Sequence, residues 1–425
     1  MARQQQISVS IFDINLRARP AVLVALAIFV ATLTIVPAAN AQTLTVLHSF
    51  TGGQDGSGPY TGLTMDRAGN LYGTTSYGGY AGNNDCKDLG GCGVVFKLAR
   101  AGSGWIFTPL YEFLGVFNHG DGSIPYSPVI VGSNGALYGT TTHGGLGDGC
   151  NDGCGTVFKL TPPASFCKGF ACYWNETQIH LFNSTDGAFP TGWLAFDSAG
   201  NLYGGAGGII YELVASNGWQ ENLLYNLGND GAPTGGVTMD PAGNLYGTTF
   251  SGGSGDEGIV FQLAKTQSGW TLNTLYSFSE FNGGFGNYAG VILDSAGNLY
   301  GATVNGNPDG DAYVYELSPS GSGWNYSTLY TFTESLGGGP AANLMMDSAG
   351  NLYGTTRGGG TNWGNVFKLT PSNGGWVYTD LHDFTGGSDG GVPYSSVVID
   401  SNGNLYGTAS AGGAHGDGTV WEITP

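Results

Sequence analysis

Basic side chains are scarce in this sequence, which has 12 Lys and Arg residues against 31 Asp and Glu among 425 residues. The resulting formal net charge of −19 repels nucleic acids and anionic membrane surfaces, so we expect neither as a partner. No segment keeps the 3.6-residue apolar period of an amphipathic helix, which disfavours helical folds. Aromatic and aliphatic residues are nevertheless abundant and evenly spread, and this excludes a disordered chain.

Long apolar runs are also lacking, apart from one between Ala21 and Val36. Three arginines precede this run, and the small-residue sequence Ala39-Asn40-Ala41 follows it. The run has about 16 residues, short of the roughly 20 that span a bilayer. This pattern predicts a secretory signal peptide at residues 1–41. We expect the mature chain, residues 42–425, to be secreted, periplasmic or cell-surface associated, without inserting into the membrane.

The six cysteines form three pairs that are close in sequence, namely Cys86/Cys92, Cys150/Cys154 and Cys167/Cys172. Close pairs in an exported protein favour disulfides. The second pair is also half of a zinc-binding pattern, but His143 offers only one further ligand nearby. We therefore predict three disulfides and no metal bound by cysteine.

One phrase, whose fullest form is D-x-x-G-N-L-Y-G-T-T, recurs seven times after residue 42. Its marker tyrosines are Tyr72, Tyr138, Tyr203, Tyr246, Tyr300, Tyr353 and Tyr406. Each copy contains four short strand signals rich in β-branched and aromatic residues, with a hairpin turn after the Asp. Periods of about 40 to 65 residues with several strands per unit are typical of a β-propeller.

The two ends of the mature chain are complementary in this repeat. Residues 44–50 match only the fourth strand of a unit, whereas the last copy stops after its third strand at residues 419–423. The sequence therefore predicts an all-β, seven-bladed β-propeller with four-stranded blades, in which the N-terminal strand closes the last blade. We expect one domain over residues 42–425, and a monomer.

The repeats resemble the Gloeo-Verruco (GloVer) tandem-repeat proteins, an exported bacterial family. The matching phrases run from Leu71-Tyr72-Gly73 to Leu405-Tyr406-Gly407, with V-F-K-L phrases such as Val95–Leu98. The second copy departs, since Gly135-Ala136 replaces the usual Gly-Asn. The hairpins are also similar to those of NHL and gluconolactonase-like propellers. The resemblance implies an exported repeat protein and brings no activity with it.

Residues that recur in equivalent positions are interpreted as packing residues. They include the marker tyrosines and the six tryptophans that stand eight residues before the end of a fourth strand, namely Trp105, Trp174, Trp219, Trp270, Trp324 and Trp376. His48, His180 and His382 occupy the Tyr position of an L-Y-x-F phrase, and we assign them a structural role too. The Asp-Gly pairs between blades are interpreted as turns; their aspartates are Asp55, Asp121, Asp186, Asp230 and Asp389.

Candidate binding residues are those that the repeat does not require. They are Trp193, Trp363, Tyr60, Tyr126, Tyr288, Tyr394 and His143. Trp193 stands on an inner strand where the other copies have Gly, Pro, Asn or Ser. It either stacks against a ligand or fills the central channel. Blade three also has the shortest loop between its second and third strands, and we expect a notch there.

Catalytic patterns are weak in this sequence. Gly386–Gly390 matches G-x-S-x-G but lies in a polar loop, away from any strand-to-helix elbow. Asn307–Asp311 is acidic but lacks the spaced ligands of a calcium loop, so we expect no cofactor, with calcium as the alternative. We predict a binding module for an extracellular glycan or protein. The alternatives are a polysaccharide-acting enzyme, which needs paired carboxylates, and a structural envelope protein without a small ligand.

The signal-peptide assignment predicts where the exported protein begins. Cleavage after Ala41 leaves Gln42 as the first residue, which intact-mass measurement of the exported protein will detect. Ala41→Arg places a large cation at the cleavage site and should leave the precursor uncleaved. Recovery of an exported wild-type protein that retains residues 1–41 would contradict the assignment.

Overall fold

The computed structural model places residues 42–425 in one compact unit. It describes most of this unit, namely residues 42–79, 86–87, 90–115, 120–145, 149–164, 174–279, 289–304, 311–321, 323–333, 339–340, 342–359 and 362–425. These residues form seven four-stranded antiparallel sheets. The predicted β-propeller is therefore confirmed.

The first four blades follow the chain in order, each from its inner to its outer strand. Blade one has β2 (Thr64–Met65), β3 (Leu71–Thr75), β4 (Val94–Ala101) and β5 (Gly104–Glu112). Blade two has β6 (Ile130–Val131), β7 (Leu137–Thr141), β8 (Thr156–Thr161) and β9 (Asn175–Leu181). Blade three has β10 (Ala195–Phe196), β11 (Leu202–Ala206), β12 (Ile209–Val214) and β13 (Gln220–Asn226). Blade four has β14 (Pro233–Met239), β15 (Leu245–Thr249), β16 (Ile259–Thr266) and β17 (Gly269–Ser277).

The remaining three blades continue the same order. Blade five has β18 (Ile292–Leu293), β19 (Leu299–Ala302), β20 (Ala312–Ser320) and β21 (Gly323–Phe332). Blade six has β22 (Met345–Met346), β23 (Leu352–Thr356), β24 (Asn365–Ser372) and β25 (Gly375–Asp383). Blade seven has β26 (Val398–Ile399), β27 (Leu405–Ala409), β28 (Thr419–Thr424) and, as its outer strand, β1 (Thr43–Ser49). Two short 3₁₀ segments, Ala215–Asn217 and Gly228–Asp230, flank β13.

The two ends of the described unit pair with each other. Strand β1 lies antiparallel to β28, with Thr43 opposite Thr424 and Ser49 opposite Thr419. The predicted closure of the ring is confirmed, and it covers an edge of β28 that would otherwise be bare.

A shared polar network holds the inner hairpin of six blades. In blade one, the Tyr72 hydroxyl donates to Asp66, and Asp66 also accepts the side-chain amide of Asn70. Burial alone raises the pKa of the Asp66 carboxyl, but these hydrogen bonds outweigh it and hold the pKa below its usual value. Blade two has Gly132 in place of the Asp. The marker tyrosines therefore pack and also fix the turn through their hydroxyls.

An aromatic ring lies over the glycine of each L-Y-G phrase. In blade one, a Cβ added to Gly73 would lie 2.6 Å from Cζ of Phe96, closer than real side chains approach. The same ring contacts Phe50 of blade seven edge-on, with 5.3 Å between the ring centroids. Glycine thus makes room for a fully buried ring that joins neighbouring blades.

Two of the three predicted disulfides are confirmed. Cys86 is bonded to Cys92 and Cys150 to Cys154, with Cα–Cα distances of 5.1 and 5.3 Å. Cys167 and Cys172 lie outside the described residues. The two bonds are consistent with an extracellular or periplasmic protein. Within the described ranges, none of the helical segments has the length and apolarity to cross a bilayer.

Closure of the ring predicts that residues 43–50 are essential for stability. Their deletion should expose β28 and cause aggregation or early thermal unfolding. A milder change, Phe50→Ala, removes a fully buried ring and should lower the free energy of unfolding by about 3–5 kcal/mol. The matched control is Thr45→Ala, an exposed position on β1, with an expected change within about 0.5 kcal/mol. Unchanged melting of the deletion variant would refute the closure.

Candidate functional site

A cavity of about 390 Å³ lies where the inner segments of several blades converge. Its described lining residues are Tyr60, Thr61, Gly62, Tyr126, Pro128, Thr191, Trp193, Thr234, Gly235, Ala342, Asn343, Arg357, Tyr394 and Ser396. Most of these described residues come from the segments that enter the inner strands of blades one to four, six and seven. Four predicted binding residues, including Trp193, are therefore brought together.

Three tyrosines from consecutive blades form one side of the cavity. The rings of Tyr60 and Tyr126 are stacked at 5.4 Å, and Tyr394 is tilted against Tyr60 at 5.6 Å. Tyr126 is the most exposed of the three, with 39% of its surface accessible. Burial, followed by the neighbouring Tyr77 and Tyr394, raises the pKa of the Tyr60 hydroxyl, which therefore stays protonated at neutral pH.

Hydrogen bonds from neighbouring second strands position these tyrosines. The hydroxyl of Thr408 in blade seven donates to the carbonyls of Pro59 and Thr61, the residues on either side of Tyr60. Thr355 of blade six donates in the same way to the carbonyls that flank Tyr394. The threonines of the repeated L-Y-G-T-T phrase thus hold the aromatic residues from behind, and the cavity wall is preorganised.

Trp193 faces the tyrosines from blade three and is half-buried. Its backbone forms a parallel bridge with Gly236 of blade four. A Cβ on Gly236 would lie within 2.8 Å of the Trp193 Cα, so the two inner segments touch closely. Glycine at position 236 permits this contact. The bridge restrains the backbone that carries the indole.

Polar groups complete the lining of the cavity. Asn343 is almost fully buried, and its Oδ1 accepts the Gly290 amide at 2.6 Å. The hydroxyl of Ser396 is buried and makes no hydrogen bond to any described residue. Arg357 supplies the single positive charge among the described lining residues. Arg357 follows β23 directly. The sequence does not predict it as a binding residue, because the spacing along the chain does not show that this side chain faces the axis.

Other predicted binding residues lie elsewhere. Trp363 packs over Gly386 and Gly391 in the loop between blades six and seven, and it is 39% exposed. His143 contacts the hydroxyl of Thr142 through Nδ1 at 3.1 Å and the ring of Phe189. Neither residue lines the cavity. Tyr288 and residues 307–310 of the proposed calcium loop lie outside the described residues.

The short loop of blade three is even tighter than expected from the sequence. Strand β11 continues through Ala206, and β12 starts at Ile209. Only Gly207 and Gly208 remain between them, both with positive φ values, of 54° and 90°. Such a two-residue turn requires this backbone conformation at both positions, and glycine adopts it readily.

At three seams between outer strands a ring of one blade stacks on a ring of the next, as His48 does on Phe107 at 3.8 Å. Blades four and seven have Leu272 and Leu44 at the position of Phe107. Blade two instead has Glu176 and blade three has Glu221 at the position of Phe107. Burial, followed by repulsion from Asp121, raises the pKa of Glu176 to about 8. Burial, followed by Asp186, raises the pKa of Glu221 to about 7.

This fold and site define a repeat β-propeller with an aromatic cavity at its axis. The family model of the Gloeobacter/Verrucomicrobia repeat matches residues 32–207 and 233–425. The chain belongs to this repeat family. No curated protein matches the chain. A solved structure described as a putative oxidoreductase (glucose dehydrogenase) from Thermus thermophilus is similar at 14% identity and a TM-score of 0.45, over 90% of this chain and 100% of that one.

The buried glutamate of blade two predicts an unusual pH dependence. Its folded pKa lies above its usual value of 4.5, so the unfolded chain loses the proton first and stability falls as pH rises from about 4.5 towards 8. Glu176→Gln removes this effect. The variant should be more stable than the wild type at pH 8, on the order of 1–2 kcal/mol after solvent screening, and by less at pH 5. Denaturant unfolding at both pH values measures this, and an equal difference at the two values contradicts it.

Proposed function

We propose that the protein is an exported binding module and that the axial cavity holds part of an extracellular glycan. The observation that supports this most directly is the convergence of Trp193 with three tyrosines around one cavity. Aromatic faces pack against the C–H faces of sugar rings, and a volume of about 390 Å³ is in the range of pockets for small ligands.

The polar lining of the cavity fits the same kind of ligand. Hydroxyl groups of Thr61, Thr191 and Ser396 and the amide of Asn343 offer hydrogen bonds to sugar hydroxyls. Arg357 adds one cation, which suits an acidic sugar better than a neutral one. Among the described lining residues none is Asp or Glu, so the groups facing the cavity support binding better than hydrolysis by a carboxylate pair.

The test is a glycan array probed with the mature protein, residues 42–425, followed by titration of the best ligand. Trp193→Ala should weaken binding at least tenfold, about 1.4 kcal/mol, because the stacking surface is lost. Trp363→Ala is the matched control, since this tryptophan lies outside the cavity. It should leave the affinity unchanged.

Three outcomes would contradict this proposal. Trp193→Ala with unchanged affinity places the ligand elsewhere. A loss of about 3–5 kcal/mol of stability in this variant, with normal binding in the surviving fold, makes Trp193 a packing residue that fills the channel. Capture of a protein partner without any glycan signal assigns the cavity to a side chain of that partner.

A further inference from the structure

A histidine and an aspartate recur as a pair at the outer edge of three blades. His48 Nε2 lies 3.0 Å from Asp55 Oδ2, and His382 Nε2 lies 3.1 Å from Asp389 Oδ2. Each aspartate also accepts a backbone amide of the loop that leads to the next blade. In these two blades the pair is a direct hydrogen bond that ties the outer strand to the loop.

In blade two the equivalent histidine and aspartate are too far apart for a direct hydrogen bond. His180 Nε2 lies 3.7 Å from Asp186 Oδ2, beyond hydrogen-bond distance, and 3.9 Å from Glu221 Oε2 of blade three. One nitrogen and one oxygen from each carboxylate all lie within 4.8 Å of one another. Three separate segments contribute, namely β9, the loop that follows it, and β13.

Two polar atoms of this cluster lack a hydrogen-bond partner among the described residues. His180 Nε2 and Glu221 Oε1 are buried and make no hydrogen bond within the described part of the chain. The three side chains are only 13%, 21% and 14% exposed for His180, Asp186 and Glu221. Buried polar groups in folded proteins are nearly always paired, so this arrangement indicates a missing partner of positive charge.

We propose that His180, Asp186 and Glu221 form a site for a divalent transition-metal ion such as Zn²⁺ at the seam between blades two and three. An imidazole nitrogen with two carboxylates is a donor set for Zn²⁺, and the two negative charges balance the ion. Ligand atoms bound at about 2.0 Å in a tetrahedron are roughly 3.3 Å apart. The distances of 3.7 and 3.9 Å from His180 Nε2 therefore need to shorten by about 0.4 to 0.6 Å. The ligand oxygens of Asp186 and Glu221, which lie within 4.8 Å of each other, need to approach by at most about 1.5 Å.

The other blades show why the site is particular to this seam. At the seam of blades seven and one, the position of Glu221 is occupied by Phe107, whose ring stacks on His48. That pair has a histidine and an aspartate but no second carboxylate at the Phe107 position. It provides a matched control within the same molecule. Calcium fits the blade-two site less well, because it takes six to eight oxygen ligands.

The experiment uses untagged mature protein, residues 42–425, stripped of metal by a chelator. Competition with a chromophoric indicator measures the affinity and stoichiometry of Zn²⁺ alone. We expect one Zn²⁺ per chain, with affinity at least about tenfold lower in His180→Gln and in Glu221→Gln. The matched variant His48→Gln should retain the wild-type affinity.

Cobalt substitution separates direct ligation from a loss of structure. The visible absorption of bound Co²⁺ should change in His180→Gln, while the circular dichroism of the variant stays that of the wild type. Absence of stoichiometric Zn²⁺ binding by the wild type would overturn the proposal. Equal losses in His180→Gln and His48→Gln would do so as well, and so would tighter binding of Ca²⁺ than of Zn²⁺.

Discussion

The structure depends on one aromatic ring in each blade, which lies over a glycine of its own blade and contacts the preceding blade. The glycine of every L-Y-G phrase faces such a ring, which is Phe in four blades, Tyr in two and Trp in one. In six blades the ring also contacts the aromatic residue that ends the preceding outer strand, and in blade four Leu227 takes that place, so the ring contacts two blades at once. Alanine at the glycine would drive its Cβ into the ring, and this explains why the phrase keeps its glycine in all seven copies.

Regular packing of this kind makes departures from the repeat informative. Burying a carboxylate between outer strands carries a large desolvation free energy, whereas burying an uncharged ring does not. Glu176 and Glu221 stand at two adjacent seams, at a position where the other blades have an aromatic ring or a leucine, so the repeat alone does not account for them. Trp193 differs from the repeat in another way, since it adds a large apolar side chain where other blades have small residues. Packing explains the shared residues, and function is best sought among these exceptions.

The fold was predictable from the sequence because its signals are local. The spacing of the marker tyrosines defined the blades, and the incomplete first and last copies defined the closure later seen between β1 and β28. The site was predictable only in part. Tyr60, Tyr126, Tyr394 and Trp193 all stand at or just before an inner strand, so the repeat itself placed them near the axis.

Contacts across blades were not predictable, because they depend on the register between sheets rather than on spacing along the chain. The ring of Trp363 lies on glycine backbone, although its sequence context resembles that of an exposed binding residue. Arg357 reaches the cavity from the position after a second strand; the repeated phrase marks the end of that strand but does not show that the side chain faces the axis. His180 looked equivalent to His48, and only the neighbouring strand shows that a glutamate has replaced the stacking ring.

Asp186 of the outer seam and Trp193 of the cavity lie on one stretch of chain. The loop after β9 carries Asp186, which accepts the backbone and side-chain amides of Asn183 and so holds the loop closed on itself. Seven residues later the same stretch delivers Trp193 to the cavity. Between them, the carbonyl of Pro190 accepts the hydroxyl of Thr140 from blade two. The indole is therefore carried by a short segment that is hydrogen-bonded both within the outer loop and to blade two on its way to the axis.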